Sequence, residues 1–354
     1  MLRKLIAVAI LAAAAGQAGA AAAETRLQII QPFIRSMFIW PIHVGELLGY
    51  FEAEDLALEL VSSDANIPYT LFLAGGNADL VLMDSAQAVL ALNAGFDVAS
   101  VYEVHRPIPQ GIYVEETSPI YSVIDLQGRT VGLGSNRDLS GLEIALAHEQ
   151  VSMDAVDTVV VGDAGPILNS VFSKGFADAF AGSLASVVPL AAHGIRVRDI
   201  TPGSVKSAPI NSYVMLRSRM EELRPGICGF LRAWSKGVYI GSQDIEIIAA
   251  MSRHPRGVPE QWENPEFGYH YLHAVADLVI PKEGPIGRPD EAAWKALLDD
   301  MLLIGEIEIA FDMSEIVDES FLACANDFDR DKVMAEARAW MDDPANAPYV
   351  RRQF

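Results

Sequence analysis

From Arg26 onward, short β-rich runs alternate with helical stretches closed by glycine, proline or small polar residues. That rhythm calls for parallel sheet covered by helices. Strands are expected at residues 27–31, 56–61, 79–83 and 98–104, with helices at 38–48, 68–74 and 85–93 between them. The run His105-Arg106-Pro107-Ile108-Pro109 then breaks the rhythm, because two prolines in three residues cannot continue a central strand. A second series follows, with strands at 111–114, 130–133, 158–161 and 177–181 and helices at 139–149, 164–173 and 183–193. Residues 202–209, rich in Gly, Ser and Pro, read as a return crossing to a strand at 212–216. The rest is mainly helical, at 225–241, 245–251, 289–304 and 329–341. The chain is thus expected to be α/β with two lobes, each a mainly parallel sheet flanked by helices, and with two crossover strands as hinge. Residues 24–108 form the first part of lobe one, 109–208 lobe two, and 209–354 the second part of lobe one with the C-terminal helices.

A length of 354 residues suits two such units. Hydrophobic residues at 51% and charged residues at 21% are ordinary for a globular chain, but the formal net charge of −21 would repel nucleic acid or an anionic membrane. The first 23 residues are set apart. Arg3 and Lys4 precede an apolar stretch that ends in small residues at Ala18-Gly19-Ala20 or Ala21-Ala22-Ala23, the pattern of a cleaved secretory signal peptide. No cysteine follows it to carry a lipid, and no later segment approaches a membrane span. An exported, soluble mature protein is the expectation. Export permits a disulfide. Cys228 and Cys324, however, both lie among apolar neighbours, and two buried free thiols are expected.

Several motifs fall in order along this plan. Gly49-Tyr50-Phe51 leads to Leu56-Ala57-Leu58-Glu59-Leu60-Val61, after the helix start Trp40-Pro41. Leu73-Ala74-Gly75-Gly76-Asn77-Ala78-Asp79, Asp125-Leu126-Gln127-Gly128-Arg129-Thr130-Val131-Gly132 and Phe172-Ser173-Lys174-Gly175-Phe176-Ala177-Asp178-Ala179 complete the set. Together they resemble the periplasmic solute-binding proteins of ABC importers for nitrate, sulfonate, taurine and thiamine-pyrimidine precursors, over about residues 27–250. The chain departs from that pattern at Asp55, where the family has glycine. The resemblance implies a type II periplasmic binding protein fold and a monomer. It also implies a small-molecule ligand held between the lobes, and ABC transporter membrane subunits as the partner that reads the closed form.

In open α/β sheets, ligands settle outside the carboxyl ends of strands, where helix N-termini present free N–H groups. Four such points are candidates for ligand contact. Trp40 offers a flat apolar face and an indole donor, and His43 a donor or acceptor; their structural reading is core packing and a satisfied histidine. Asp84 and Ser85 follow the third strand, where either would also serve as a helix cap. Gly134-Ser135-Asn136-Arg137 follows the strand at 130–133, so Ser135 and Asn136 expose amides and hydroxyls, with Arg137 as a bidentate partner for an anion. The resemblance implies that this loop touches ligand. Ser183 opens a helix in lobe two, and Asn211 stands at the return crossing; a cap and a turn residue are their plain readings.

No catalytic constellation is expected. The chain has no Gly-x-Ser-x-Gly elbow and no phosphate loop ending in Gly-Lys-Ser/Thr. His270 and His273 lie three apart without a glutamate placed to complete a zinc pair. Fungal relatives of this fold make the thiamine pyrimidine with a pyridoxal-phosphate lysine, yet no lysine lies between Leu5 and Ser173, so that enzyme reading falls. The expected function is ligand capture by hinge closure, with no metal and no cofactor, for a small organic anion or a heterocycle. The competing reading is a periplasmic sensor that docks on a receptor.

Overall fold

The computed structural model describes residues 25–63, 67–105, 110–136, 138–162, 165–203, 205 and 211–350. The expected signal segment, both proline-rich crossings, Arg137 and the C-terminal tip lie wholly or partly outside these.

Ten strands form two separate five-stranded sheets. The first contains β1 (Thr25–Gln31), β2 (Leu56–Ser62), β3 (Leu80–Asp84), β4 (Val98–His105) and β10 (Asn211–Leu216) in the order β2-β1-β3-β10-β4. The second contains β5 (Gln110–Glu115), β6 (Thr130–Leu133), β7 (Asp157–Val160), β8 (Ala179–Ser183) and β9 (Val197–Asp199) in the order β7-β6-β8-β5-β9. The two orders follow one plan. In each, the strand entering from a crossing (β10 or β5) is inserted beside the last strand of the sheet.

That insertion puts one reversed strand into each otherwise parallel sheet, four strands running one way and one against them. β1 runs parallel to β2 and β3, but β10 is antiparallel to β3 and β4. Likewise β6 is parallel to β7 and β8, whereas β5 is antiparallel to β8 and β9. A strand that arrives from the other lobe enters from the end where its neighbours' carboxyl termini lie, so it must run against them. The two-lobed α/β plan itself is as expected.

The helices that matter for the site are α1 (Pro41–Leu47), α2 (Thr70–Ala74), α3 (Ser85–Asn93), α4 (Asp138–His148), α5 (Gly165–Ser173), α6 (Leu184–Val187), α7 (Met220–Gln243), α8 (Ile245–Arg253), α9 (Pro265–Val279) and α10 (Glu291–Leu303). α7 starts five residues before the expected Pro225, which sits inside the helix. There its missing N–H costs a single bond near the helix start. The turn before β2 holds Asp55 at φ 54° and ψ 41°, the left-handed region that glycine enters freely and aspartate tolerates. The departure from the family pattern therefore keeps the backbone and the register.

The first lobe has its main core on one sheet face, where Trp40, Phe51 and Tyr213 pack with Phe230 and Trp234 of α7. A smaller cluster around Ile30, Tyr69, Val81 and Met83 fills the other face. The second lobe divides its core in the same way, around Leu126, Val131 and Leu146 on one side and Tyr113, Leu168 and Phe180 on the other. Cys228 and Cys324 are joined in a disulfide that ties α7 to the short helix α11 (Leu322–Ala325). This corrects the expectation of two free thiols. Their apolar neighbours reflect a helix–helix contact between segments 96 residues apart, with Cα atoms 5.5 Å from each other.

Candidate functional site

A cavity of about 340 Å³ lies between the two sheets, and both lobes line it. Lobe one supplies Asp84, Ser85 and Gln87 at the end of β3 and the start of α3. It also supplies Leu297, Asp300 and Glu306 from α10 and the turn after it. Lobe two supplies Gly111 and Ile112 of β5, Asn136 and the first turns of α4, and Ala181 and Gly182 of β8. Small residues at Gly111, Ala181 and Gly182 leave strand backbone accessible at this end of the second sheet.

Ser85 begins α3 directly after β3, which the apolar run Leu80–Met83 fixes as a central buried strand. Its side chain is fully buried, and its Oγ has no hydrogen-bond partner among the described residues. A buried hydroxyl without a partner costs on the order of 1–3 kcal/mol. Asp84 does not cap α3 through its side chain. Its Oδ1 instead accepts from Asn211 Nδ2 at 2.6 Å. Asn211 Oδ1 in turn lies 3.1 Å from His105 Nδ1, and the Phe38 carbonyl lies 2.9 Å from His105 Nε2; both oxygens are acceptors, so the neutral ring donates to one of them. His105 and Asn211 are the last and first described residues on either side of the crossings. This chain of contacts therefore ties both crossing strands to the cavity wall. Burial lowers the His105 pKa to about 4, so the ring is neutral at pH 7.

Trp40 and His43 are in the core, and neither lines the cavity. Trp40 is fully buried, its Nε1 donates to the Gly237 carbonyl at 3.4 Å, and Gly241 packs against its ring. His43 is also fully buried, with Nε2 and Ser252 Oγ 3.0 Å apart. Burial first, and Arg35 second, lower its pKa to about 3. The reason is α7. Its small residues Gly237 and Gly241 let the chain after β1 press into the helix, and that carries the aromatic helix start away from the strand tips.

In lobe two, Asn136 lines the cavity and is exposed. Ser135 is buried beside it, and its N–H and Oγ both donate to Asp138 Oδ2, at 2.7 and 3.0 Å. The amide-rich loop thus already holds an anion of its own, the first carboxylate of α4. Arg137 lies outside the described residues. Ser183 is the last residue of β8, half-buried and paired in the sheet with Gln110, while its neighbours Ala181 and Gly182 form the wall. Asn211 acts at one remove, through Asp84.

Three residues were missed from sequence. Asp300 and Glu306 face the cavity from a region where the resemblance fades. Each is bonded to lobe two: Asp300 Oδ1 to His148 Nε2 at 2.7 Å, and Glu306 Oε1 to the hydroxyl of Ser140. Gln31, the last residue of β1, is fully buried and both of its amide atoms lack partners among the described residues. A polar residue closing an apolar strand at its carboxyl end was the signal available for it. His270 and His273 fall on α9, and no group of His, Cys, Asp or Glu able to hold a metal ion occurs among the described residues.

The sequence pattern of the NMT1/THI5-like family matches residues 38–241, more than half of the chain. No curated protein matches. Among solved structures, one from Bordetella bronchiseptica RB50 aligns with TM-score 0.66 at 17% identity, covering 85% of this chain and 96% of that one. The periplasmic aliphatic sulphonate binding protein SsuA from Escherichia coli aligns with TM-score 0.63 at 19% identity, covering 82% and 96%. The desulfurization enzyme DSZB shares the fold at TM-score 0.56 and 15% identity, covering 85% and 98%. No helix among the described residues is long and apolar enough to cross a membrane. The two sheets of shared plan, the cavity between them and the match over the first 204 residues from Phe38 agree: the chain belongs to the NMT1/THI5-like family and has the two-lobed periplasmic binding protein fold.

Proposed function

We propose that this chain is the solute-binding component of an ABC import system. It is exported to the periplasm with residues 1–23 removed, acts there as a monomer and captures a small organic molecule between its lobes. The lobes are residues 24–108 with 209–354, and residues 109–208. The observation that carries this reading is a cavity walled by both sheets, with Ser85 from one lobe and Asn136 from the other on its surface. A ligand touching both walls gains its full set of contacts only when the lobes are closed. Binding therefore shifts the population toward the closed form, which the membrane subunits recognise. Ser85 and Asn136 are the proposed contacts, with Ser135 and Asn211 holding Asp138 and Asp84 in place behind them.

Capture without chemistry fits the wall. Among the described residues, Ser85 Oγ has no hydrogen-bonded base that would make it a nucleophile. The test is native mass spectrometry of the protein purified from its own host, with small-angle scattering before and after the retained compound is dialysed out. A released small molecule, unchanged on return and accompanied by a smaller radius of gyration, is expected. A compound that is converted on incubation, or no change in radius, would reject the proposal.

A further inference from the structure

We infer that the cavity takes a small organic cation, a compound with an apolar body and a protonated amine or amidine, in preference to an anion such as a sulfonate. This rests on the solute-binding reading above and names its ligand class. The described wall carries four carboxylates, Asp84, Asp138, Asp300 and Glu306, and no lysine, arginine or histidine. Leu90, Ile112, Leu139, Leu142, Ile144 and Leu297 supply the apolar remainder.

Three of the carboxylates hold the frame, Asp300 through His148 Nε2 at 2.7 Å. Asp138 accepts from Ser135, and Asp84 from Asn211. The loop that would otherwise offer amides to a ligand anion is therefore occupied from within. Glu306 is different. Its Oε1 takes the Ser140 hydroxyl, while Oε2 is buried with no partner among the described residues. Ser85 Oγ, on the same cavity and fully buried, also lacks a partner. The wall thus presents a carboxylate oxygen and a hydroxyl oxygen, both able to accept, beside three further carboxylates among the described lining residues. A protonated nitrogen supplies donors and a compensating charge, whereas a sulfonate brings three further acceptors and a like charge into reduced dielectric.

The experiment is calorimetric titration of the mature protein with one ring carrying three heads: benzamidine, benzamide and benzenesulfonate, with scattering to follow closure. Benzamidine is expected to bind at least tenfold more tightly than benzenesulfonate and to contract the molecule. Glu306→Gln, which keeps an acceptor for Ser140, should erase most of that preference while thermal unfolding stays unchanged. Asp300→Asn should reduce it further. Benzenesulfonate binding as tightly as benzamidine, or a sulfonate site lost in Arg137→Ala, would overturn the inference and leave the solute-binding reading intact. A preference that survives both carboxylate variants would overturn the assignment to this wall. Failure of all three compounds to bind or to contract the protein counts against the inference and the underlying reading together.

Discussion

The loop after β1 and the loop after β3 look alike in sequence. Each leaves an apolar strand, passes a polar or aromatic residue and starts a helix with a residue suited to meet a ligand. In the fold they part. Trp40 and His43 are pressed into the core under α7, whereas Asp84 and Ser85 stand at the cavity wall. The difference lies in what covers each loop. Gly237 approaches so near to Pro41 that an added Cβ would lie 2.9 Å from its Cα, and Gly241 does the same for the Trp40 ring at 3.0 Å. α10 packs against one flank of α3 through Trp294, Leu297 and Leu298, but Ser85 in the first turn of α3 still lines the space between lobes. A strand tip is a ligand site only where no other part of the chain has taken the position.

Replacing Trp40 by Ala should be the heaviest blow to this contrast. A fully buried indole in the main core is worth on the order of 3–5 kcal/mol, read as a loss in chemical denaturation. Ligand affinity of the remaining folded protein should hardly move, and a variant of normal stability with lost affinity would place Trp40 at the ligand after all. The disulfide tests the covering helix itself. It closes a loop of 96 residues and anchors α7, so Cys228→Ala with Cys324→Ala should cost about 2–5 kcal/mol. Unfolding with and without reductant measures this, and equal midpoints would show that the bridge does not hold α7.

Protonation sharpens the comparison with a smaller effect. His43 belongs to the first loop, and His105 stacks on Phe38 of that loop, with ring centroids 3.9 Å apart. Burial holds their pKa values at about 3 and about 4, against 6.5 for a solvated ring. Below about pH 6.5 the unfolded chain takes up protons that the folded one refuses. Stability present above that pH is therefore lost as pH falls toward 4. The slope is about 1.4 kcal/mol per pH unit for each histidine. The Glu46 carboxyl, raised by burial, works in the opposite sense at the acid end. His43→Gln and His105→Gln should each remove one proton from the uptake measured by unfolding across pH 4.5–6; an unaltered slope would show the rings to be protonated in the fold. The smallest change in stability belongs to the second loop. Ser85→Ala removes a hydroxyl that lacks a partner, so it should leave stability within about 1 kcal/mol or raise it. Affinity for the retained ligand should drop several-fold, and undiminished affinity would remove Ser85 from the site.

Much of this was legible in advance because it is written in local patterns. The alternation of runs, the prolines at the first crossing and the motif around residues 125–132 placed strands close to their observed limits; α3 spans Ser85–Asn93 as read. The mixed sense of the sheets was not legible, since the direction of β10 and β5 depends on where a crossing re-enters. Nor was the wall made by Asp300 and Glu306, which lie more than 200 residues from Ser85 along the chain.

Hydrophobic periodicity and turn residues act over a few positions, so the amino-acid sequence alone determined the two-lobed α/β plan, the strand tips and the family. Which tips remain open, which cysteines meet, and which charges face the enclosed space depend on contacts between segments far apart. Packing of α7 against α1, and of α10 against α4, decided those, because only close approach in three dimensions presses one side chain into a core and leaves its look-alike at a cavity wall.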